Sequence, residues 1–127
     1  KYIDFKSRDQ NKRLIPDNKF KISAFYNNTD IDSKIKDISY NSCVIFVNKK
    51  DINFNITDQL DITIGFELAG LGIMANEKKF MKIFAKASII RIEKLKNTQK
   101  LVLNLYIAKS GQSSFARYLE ELEVTII

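Results

Sequence analysis

From Lys19 the chain alternates with a period of two: Phe20, Ile22, Ala24 and Tyr26 fall on one face, Lys19, Lys21 and Ser23 on the other. Successive side chains of a strand point to opposite faces, so this spacing predicts a half-buried β-strand. Asn27-Asn28-Thr29-Asp30 tolerates left-handed backbone and bonds its own main chain, which predicts a turn. The more polar stretch Ile31 to Ile38 then returns as the second arm of a hairpin. The apolar run Cys43 to Val47 predicts a buried strand, and Ile52, Phe54 and Ile56, alternating with Asp51, Asn53 and Asn55, predict a short edge piece. Leu60, Ile62, Ile64, Phe66 and Leu68 give the clearest alternation in the chain. A looser stretch with Gly70, Gly72 and Asn76 precedes a long strand from Phe80 to Leu95, whose phase slips at Ile89-Ile90. An extra residue in one strand produces such a slip, so a β-bulge is expected there. Lys96-Asn97-Thr98-Gln99 turns the chain into Leu101, Leu103, Leu105 and Ile107, a further strand that ends before Gly111.

Only the tail changes period. Phe115, Tyr118, Leu119 and Leu122 recur at three- and four-residue spacing, with Ser113 or Ser114 placed to cap a helix. Consecutive strands joined by short turns imply antiparallel pairing, and many strands in a short chain remove their exposed edges by closing. The expected fold is all-β: a small antiparallel barrel of about six to seven strands with a C-terminal α-helix. Phe20, Ile22, Ile45, Ile62, Ile64, Leu103 and Leu105 are expected in one core. Residues 1–18 lack a sustained period and collect Lys6, Arg8, Lys12 and Arg13 before Pro16. They read as a mobile basic arm, which leaves 19–127 as the barrel with its helix. No internal repeat and no second domain is read.

The 127 residues have room for one domain with a real core. No apolar stretch approaches a bilayer-spanning length. The segment after Lys1 has no signal-peptide core, so the chain is expected to be a domain of a longer protein. With no His, Ser-His-Asp and Cys-His machinery and the usual zinc and non-haem iron sites are excluded. The one cysteine, Cys43, has no partner for a disulfide and lies in an apolar run, as a small core hydrophobe does; a reducing cytoplasm is expected. Lys and Arg number 21 against 15 Asp and Glu, a formal charge of +6, which favours an anionic partner: a nucleotide, a nucleic acid or an acidic protein surface.

Two polar segments exceed what a plain barrel needs: Arg8-Asp9-Gln10-Asn11-Lys12-Arg13, running into Leu14-Ile15-Pro16, and Lys36-Asp37-Ile38-Ser39-Tyr40-Asn41-Ser42. On these the sequence resembles the PilZ family, cytoplasmic β-barrels that bind the bacterial second messenger cyclic di-GMP. That family carries RxxxR before its first barrel strand and [DN]xSxxG at the junction of the next two strands. Asp37 and Ser39 stand at the motif's acid or amide and its serine, and Ser42 stands where the family has glycine. In one register Arg13 takes the second arginine position and Asp9 the first; in the other, Arg8 pairs with Lys12. A Cβ at Ser42 is expected to strain the turn or crowd the ligand.

The resemblance implies a binding module, not an enzyme, needing no metal or cofactor, with cyclic di-GMP as ligand at Arg8, Lys12, Arg13, Asp37, Ser39 and Ser42. The ligand carries two phosphodiester charges and two guanines, and PilZ proteins often take it as an intercalated dimer. Guanidinium forks onto phosphate or the guanine O6/N7 edge and stacks on purines. A carboxylate accepts from the guanine N1 and N2 donors. The plainer reading is a solvated tail and a turn stapled by its own side chains. Phe25 and Tyr40 lie outside the main core phase, available to stack on bases or to pack under the helix or arm. Glu120, Glu121 and Glu123 read most simply as a solvated helix face, with partner contact as the alternative.

Three functional classes follow. The first is a cyclic di-GMP receptor whose arm closes over the ligand and changes contacts with a partner protein or neighbouring domain. The second is a degenerate PilZ-like adaptor in motility, piliation or exopolysaccharide control, acting by protein contact without nucleotide. Ser42 and the broken arginine pair favour it. The third, single-stranded nucleic acid on a basic barrel, has the charge but no RNP-like aromatic motif.

Overall fold

A computed structural model describes residues 12–48, 52–69 and 78–126. Seven strands form one antiparallel sheet: β1 (Lys21–Tyr26), β2 (Thr29–Ile31), β3 (Ser33–Ile38), β4 (Ser42–Val47), β5 (Gln59–Ala69), β6 (Lys78–Lys94) and β7 (Gln99–Ile107). A 3₁₀ turn, Lys109–Gly111, leads into the helix α1, Gln112–Ile126. Strand order is β2-β1-β5-β6-β7-β4-β3, and the sheet curls into a half-barrel with the helix packed on it.

Local chemistry accounts for the first hairpin. Tyr26 pairs with Thr29 across a two-residue turn, and both turn residues lie in the left-handed region, Asn27 at φ 51° and Asn28 at φ 64°. That is the type I′ geometry whose twist matches paired strands, and asparagine adopts it at little cost. The hairpin is shorter than the alternation predicts. β2 ends at Ile31, and after Asp32 the chain continues as β3, which pairs with β4 and not with β1. The two edges of the sheet are therefore consecutive stretches of chain. Asn48 holds this corner, its backbone N–H donating to the Asp32 carbonyl at 3.2 Å and its side-chain amide to the Asp32 carboxylate at 3.2 Å.

β6 spans the sheet. Lys78–Ser88 pairs with β5, and Ala85–Lys94 with β7. The register with β7 shifts between Ile89 and Arg91, so the bulge falls on Ile90, where the phase slip places it. The bulge returns Ile92 to the inner face opposite Leu101. A second bulge lies at Lys36 on β3, between Ile35 and Asp37.

Phe20, Ile45, Ile62, Ile64, Leu103 and Leu105 are buried in one core, and Ile22 is half-buried against it. β2 pairs only with Ala24 to Tyr26 of β1, so Ile22 lies beyond the end of that pairing. The expected edge strand at Ile52–Ile56 is absent: the segment is irregular. Its polar groups bond side chains instead of a neighbouring strand. The Gln99 amide donates to the Ile52 carbonyl at 2.9 Å, and the Asp58 carboxylate accepts from the Asn55 N–H at 2.8 Å and the Tyr26 hydroxyl at 2.7 Å. That last bond, aided by partial desolvation, raises the Tyr26 pKa. The looser stretch around Gly70, Gly72 and Asn76 lies outside the described residues.

The helix buries Phe115, Tyr118, Leu119 and Leu122, as its period requires. It begins two or three residues earlier than a Ser113 or Ser114 cap implies, because the 3₁₀ turn runs straight into it. Gly111 lies so close to β6 that a Cβ there would meet Ile83 Cγ2 at 2.6 Å. Rings carry the docking: Phe66 of β5 lies 4.7 Å from Tyr118 and 6.2 Å from Phe115, Tyr40 stacks on Phe115 at 6.0 Å, and Phe20 on Tyr118 at 5.7 Å. Tyr40 thus packs under the helix. The solvated-face reading of the glutamates is corrected at two positions. Glu121 accepts from the Arg117 Nε and the Ala69 N–H, and Glu123 pairs with Lys12. Among the described residues no helix is long and apolar enough to cross a membrane.

Candidate functional site

The last residues of the arm are fastened to the barrel. Leu14 is buried and exchanges both backbone hydrogen bonds with Ile38, at 2.8 and 2.9 Å. Asp17 is bonded to the Tyr118 hydroxyl, its N–H donating at 3.4 Å and its carboxylate accepting at 3.2 Å. This tether, where Pro16 begins the entry to β1, corrects the reading of a mobile arm for Lys12 onward. Burial pushes the Tyr118 phenol well above its usual range, with the Asp17 charge adding to it.

The Leu14–Ile38 bridge aligns the arm with the end of β3 and brings together side chains 24 residues apart: Arg13 Nη1 donates to Asp37 Oδ1 at 2.8 Å. Lys36 Nζ reaches the other oxygen at 3.5 Å. Asp37 is 13% exposed and Arg13 42%, so the carboxylate sits under the guanidinium while the guanidinium keeps a face to solvent. Lys12 turns away and pairs with Glu123 Oε2 of α1 at 2.8 Å. Arg8 lies outside the described residues.

Ser39 is fully buried. Its N–H donates to the Ser42 carbonyl at 2.8 Å, and its hydroxyl lies 2.8 Å from the Ser42 hydroxyl. The motif serine shapes the turn between β3 and β4, and Ser42 completes the staple. No positive φ is needed at Ser42: among the described residues outside glycine, only Asn27, Asn28 and Thr57 have one. The strain expected from a Cβ at that position does not arise.

Beside this turn a cleft of about 600 Å³ opens across the outer face of β4, β7 and β6. Arg13, Asn41 and Ser42 line one side of it, and Asn104, Tyr106 and the bulge residue Ile90 line the rest. Backbone pairing sets this arrangement: Ser42 is opposite Asn104, which is opposite Ser88 of β6, and the Leu105 N–H donates to the Asn41 carbonyl at 2.9 Å. Of the expected site residues, Arg13 and Ser42 reach the cleft, Asp37 stands behind Arg13, Ser39 lies beneath the turn, and Lys12 faces the helix. Asn104 and Tyr106 were not singled out in the sequence. Their only signal was an outward phase on β7.

Cys43 begins the buried part of β4 directly after this turn, with no exposure. Burial pushes its thiol up to about 12, the Asp37 charge adds to this, and Arg13 opposes it. The reactive species is the thiolate, which the raised pKa disfavours, and the sulfur has no exposed surface for a reagent to reach. Native protein should therefore resist a thiol reagent such as dithionitrobenzoate at pH 8 and label at once in denaturant. Labelling of the native state at the denatured rate would contradict this burial.

The chain is similar in structure to the Bacillus subtilis inhibitor of motility (MotI/DgrA), with a TM-score of 0.67 and 15% sequence identity, over 93% of this chain and 53% of that one. The chain thus spans about half of that protein's length. The fold is PilZ-like: a mostly antiparallel curled sheet with one C-terminal helix. No protein-family model matches the sequence, and no curated protein matches it either.

Proposed function

We propose that this protein is a cyclic di-GMP receptor module, in which ligand binding in the cleft alters how the arm and the barrel meet a partner protein or neighbouring domain. One observation carries the reading. Arg13 lines a cleft of about 600 Å³, a volume in the range of small-molecule sites, and is held from behind at 2.8 Å by Asp37; these are the two motif residues with the chemistry for phosphate and guanine. The guanidinium supplies permanent charge and a flat face. Asp37 accepts from the guanine N1 and N2 donors, and Ser39 and Ser42 hold the turn that presents it. Arg8 is a further cation of the arm outside the described residues, and Lys12 would have to leave Glu123 to serve the phosphates. The module binds and does not catalyse.

A second reading keeps the PilZ-like barrel as an adaptor without nucleotide. It is favoured by Asp9 at the first arginine position of the motif register that Arg13 completes, and by an Arg13 already paired within the chain to Asp37. Isothermal titration with cyclic di-GMP separates the two, with cyclic di-AMP and GTP as controls. The receptor reading expects micromolar or tighter binding, weakened by added salt because charged contacts contribute. No heat from folded protein that retains the whole arm would select the adaptor.

A further inference from the structure

We infer that Tyr106 and Ile90 form a stacking floor for a purine base in the cleft, so that the site selects a base-bearing ligand over a bare phosphate. The inference rests on the nucleotide reading above and names the part of the cleft that holds the base.

The outer face of a curled sheet is normally polar along its strands, because alternation sends the apolar residues inward. The outward positions of β7 are Lys100, Val102, Asn104 and Tyr106, and of the two that are not charged or amide-bearing Tyr106 is the more exposed, at 59%. On the neighbouring strand Ile90 is 46% exposed. It is the bulge residue, with no direct partner between Ile89 opposite Leu103 and Arg91 opposite Val102. Bulges re-aim side chains, and this one adds a large apolar side chain to the outer face next to Asn104. A single exposed apolar residue carries no information. Here two of them line the same cleft, together with a guanidinium and two carboxamides, Arg13, Asn41 and Asn104.

That composition suits a purine nucleotide. An aromatic and an aliphatic surface provide one face for a flat base, and a guanidinium provides a second flat, cationic face or a fork for phosphate. The carboxamides carry both donors and acceptors for the edge of the base. The Arg13 guanidinium by itself does not tell a nucleotide from any other small anion. The floor adds a contact that phosphate cannot use.

Cyclic di-GMP titration of wild type, Tyr106→Ala, Tyr106→Phe, Ile90→Ser and Arg13→Ala tests this, with inorganic phosphate as the probe lacking a base. Tyr106 and Ile90 are exposed, so these variants should keep the thermal midpoint of wild type. Base stacking on an aromatic ring is sequence-tolerant and sensitive to truncation, so Tyr106→Ala should bind roughly tenfold more weakly. Tyr106→Phe, which keeps the ring, should stay within about twofold of wild type. Ile90→Ser should also weaken binding, and phosphate should not compete at concentrations where cyclic di-GMP saturates. If Tyr106→Ala binds like wild type while Arg13→Ala is impaired, the floor is wrong and the receptor reading stands. If wild type itself binds no cyclic di-GMP, both are overturned together.

Discussion

Replacing Phe115 by alanine should destabilise the protein by about 3–5 kcal/mol, the usual range when a fully buried phenylalanine is truncated. Phe115 has no exposed surface. Its ring lies 6.2 Å from Phe66 and 6.0 Å from Tyr40, so its removal takes away hydrophobic transfer energy and leaves a cavity between helix and sheet. Aromatic pairs of this kind add to area burial. The effect should reach the motif turn as well, because Tyr40 sits between Ser39 and Asn41 and leans on the lost ring. Urea unfolding should show a lower midpoint with an unchanged slope, and Phe115→Leu should recover part of the loss. A change below about 1 kcal/mol would mean that the helix does not hold the sheet, since surface substitutions are of that order.

What could be read from the sequence follows from the range of the interactions that specify each element. The type I′ turn at Asn27-Asn28 is a local backbone preference, and the bulge at Ile90 is a local break in phase. The buried face Phe115, Tyr118, Leu119 and Leu122 is a local helical period. All three are written in adjacent residues. The corner at Asp32 is not. The polar stretch Ile31 to Ile38 carries no break at Asp32, and the change of partner from β1 to β4 is decided by which edge of the curled sheet each half reaches. Asn48, 16 residues away, supplies the side-chain bond there. The same holds at Ile52–Ile56, where alternating residues look like a strand but the Ile52 carbonyl is taken by the Gln99 amide and the Asn55 N–H by the Asp58 carboxylate.

The site divides in the same way. Arg13, Asp37, Ser39 and Ser42 were visible as a spaced motif, and two of its contacts, Arg13 to Asp37 and Ser39 to Ser42, form within the motif. Asn104 and Tyr106 were hidden because an outward position on β7 carries no mark of what lies beside it. Only the registers of β4 and β6 against β7 bring the motif turn and the bulge to that stretch. The destination of Lys12 was hidden too. Its partner Glu123 is 111 residues further along the chain.

The Arg13–Asp37 pair predicts a non-additive effect on binding, and this is the sharpest test of the receptor reading. The pair is partly solvated, with Arg13 42% exposed, and such pairs contribute only about 0.2–1 kcal/mol to stability. Either residue can therefore be removed with little change in the unfolding midpoint. Binding should respond more strongly. Arg13→Ala removes a charge-assisted contact of about 1.5–3 kcal/mol, roughly tenfold to a hundredfold in affinity. It also leaves the Asp37 carboxylate unneutralised beside an anionic ligand. Asp37→Ala loses the acceptor for guanine but releases Arg13 from its intramolecular partner, so its loss should be smaller than that of Arg13→Ala. The double variant should bind no worse than Arg13→Ala alone, because the carboxylate that repels the phosphates is gone. Titration calorimetry on the four proteins at one salt concentration measures the cycle. If the two single losses simply add in the double variant, the pair is not coupled to the ligand, and Arg13 and Asp37 contribute to the barrel and not to a shared nucleotide site.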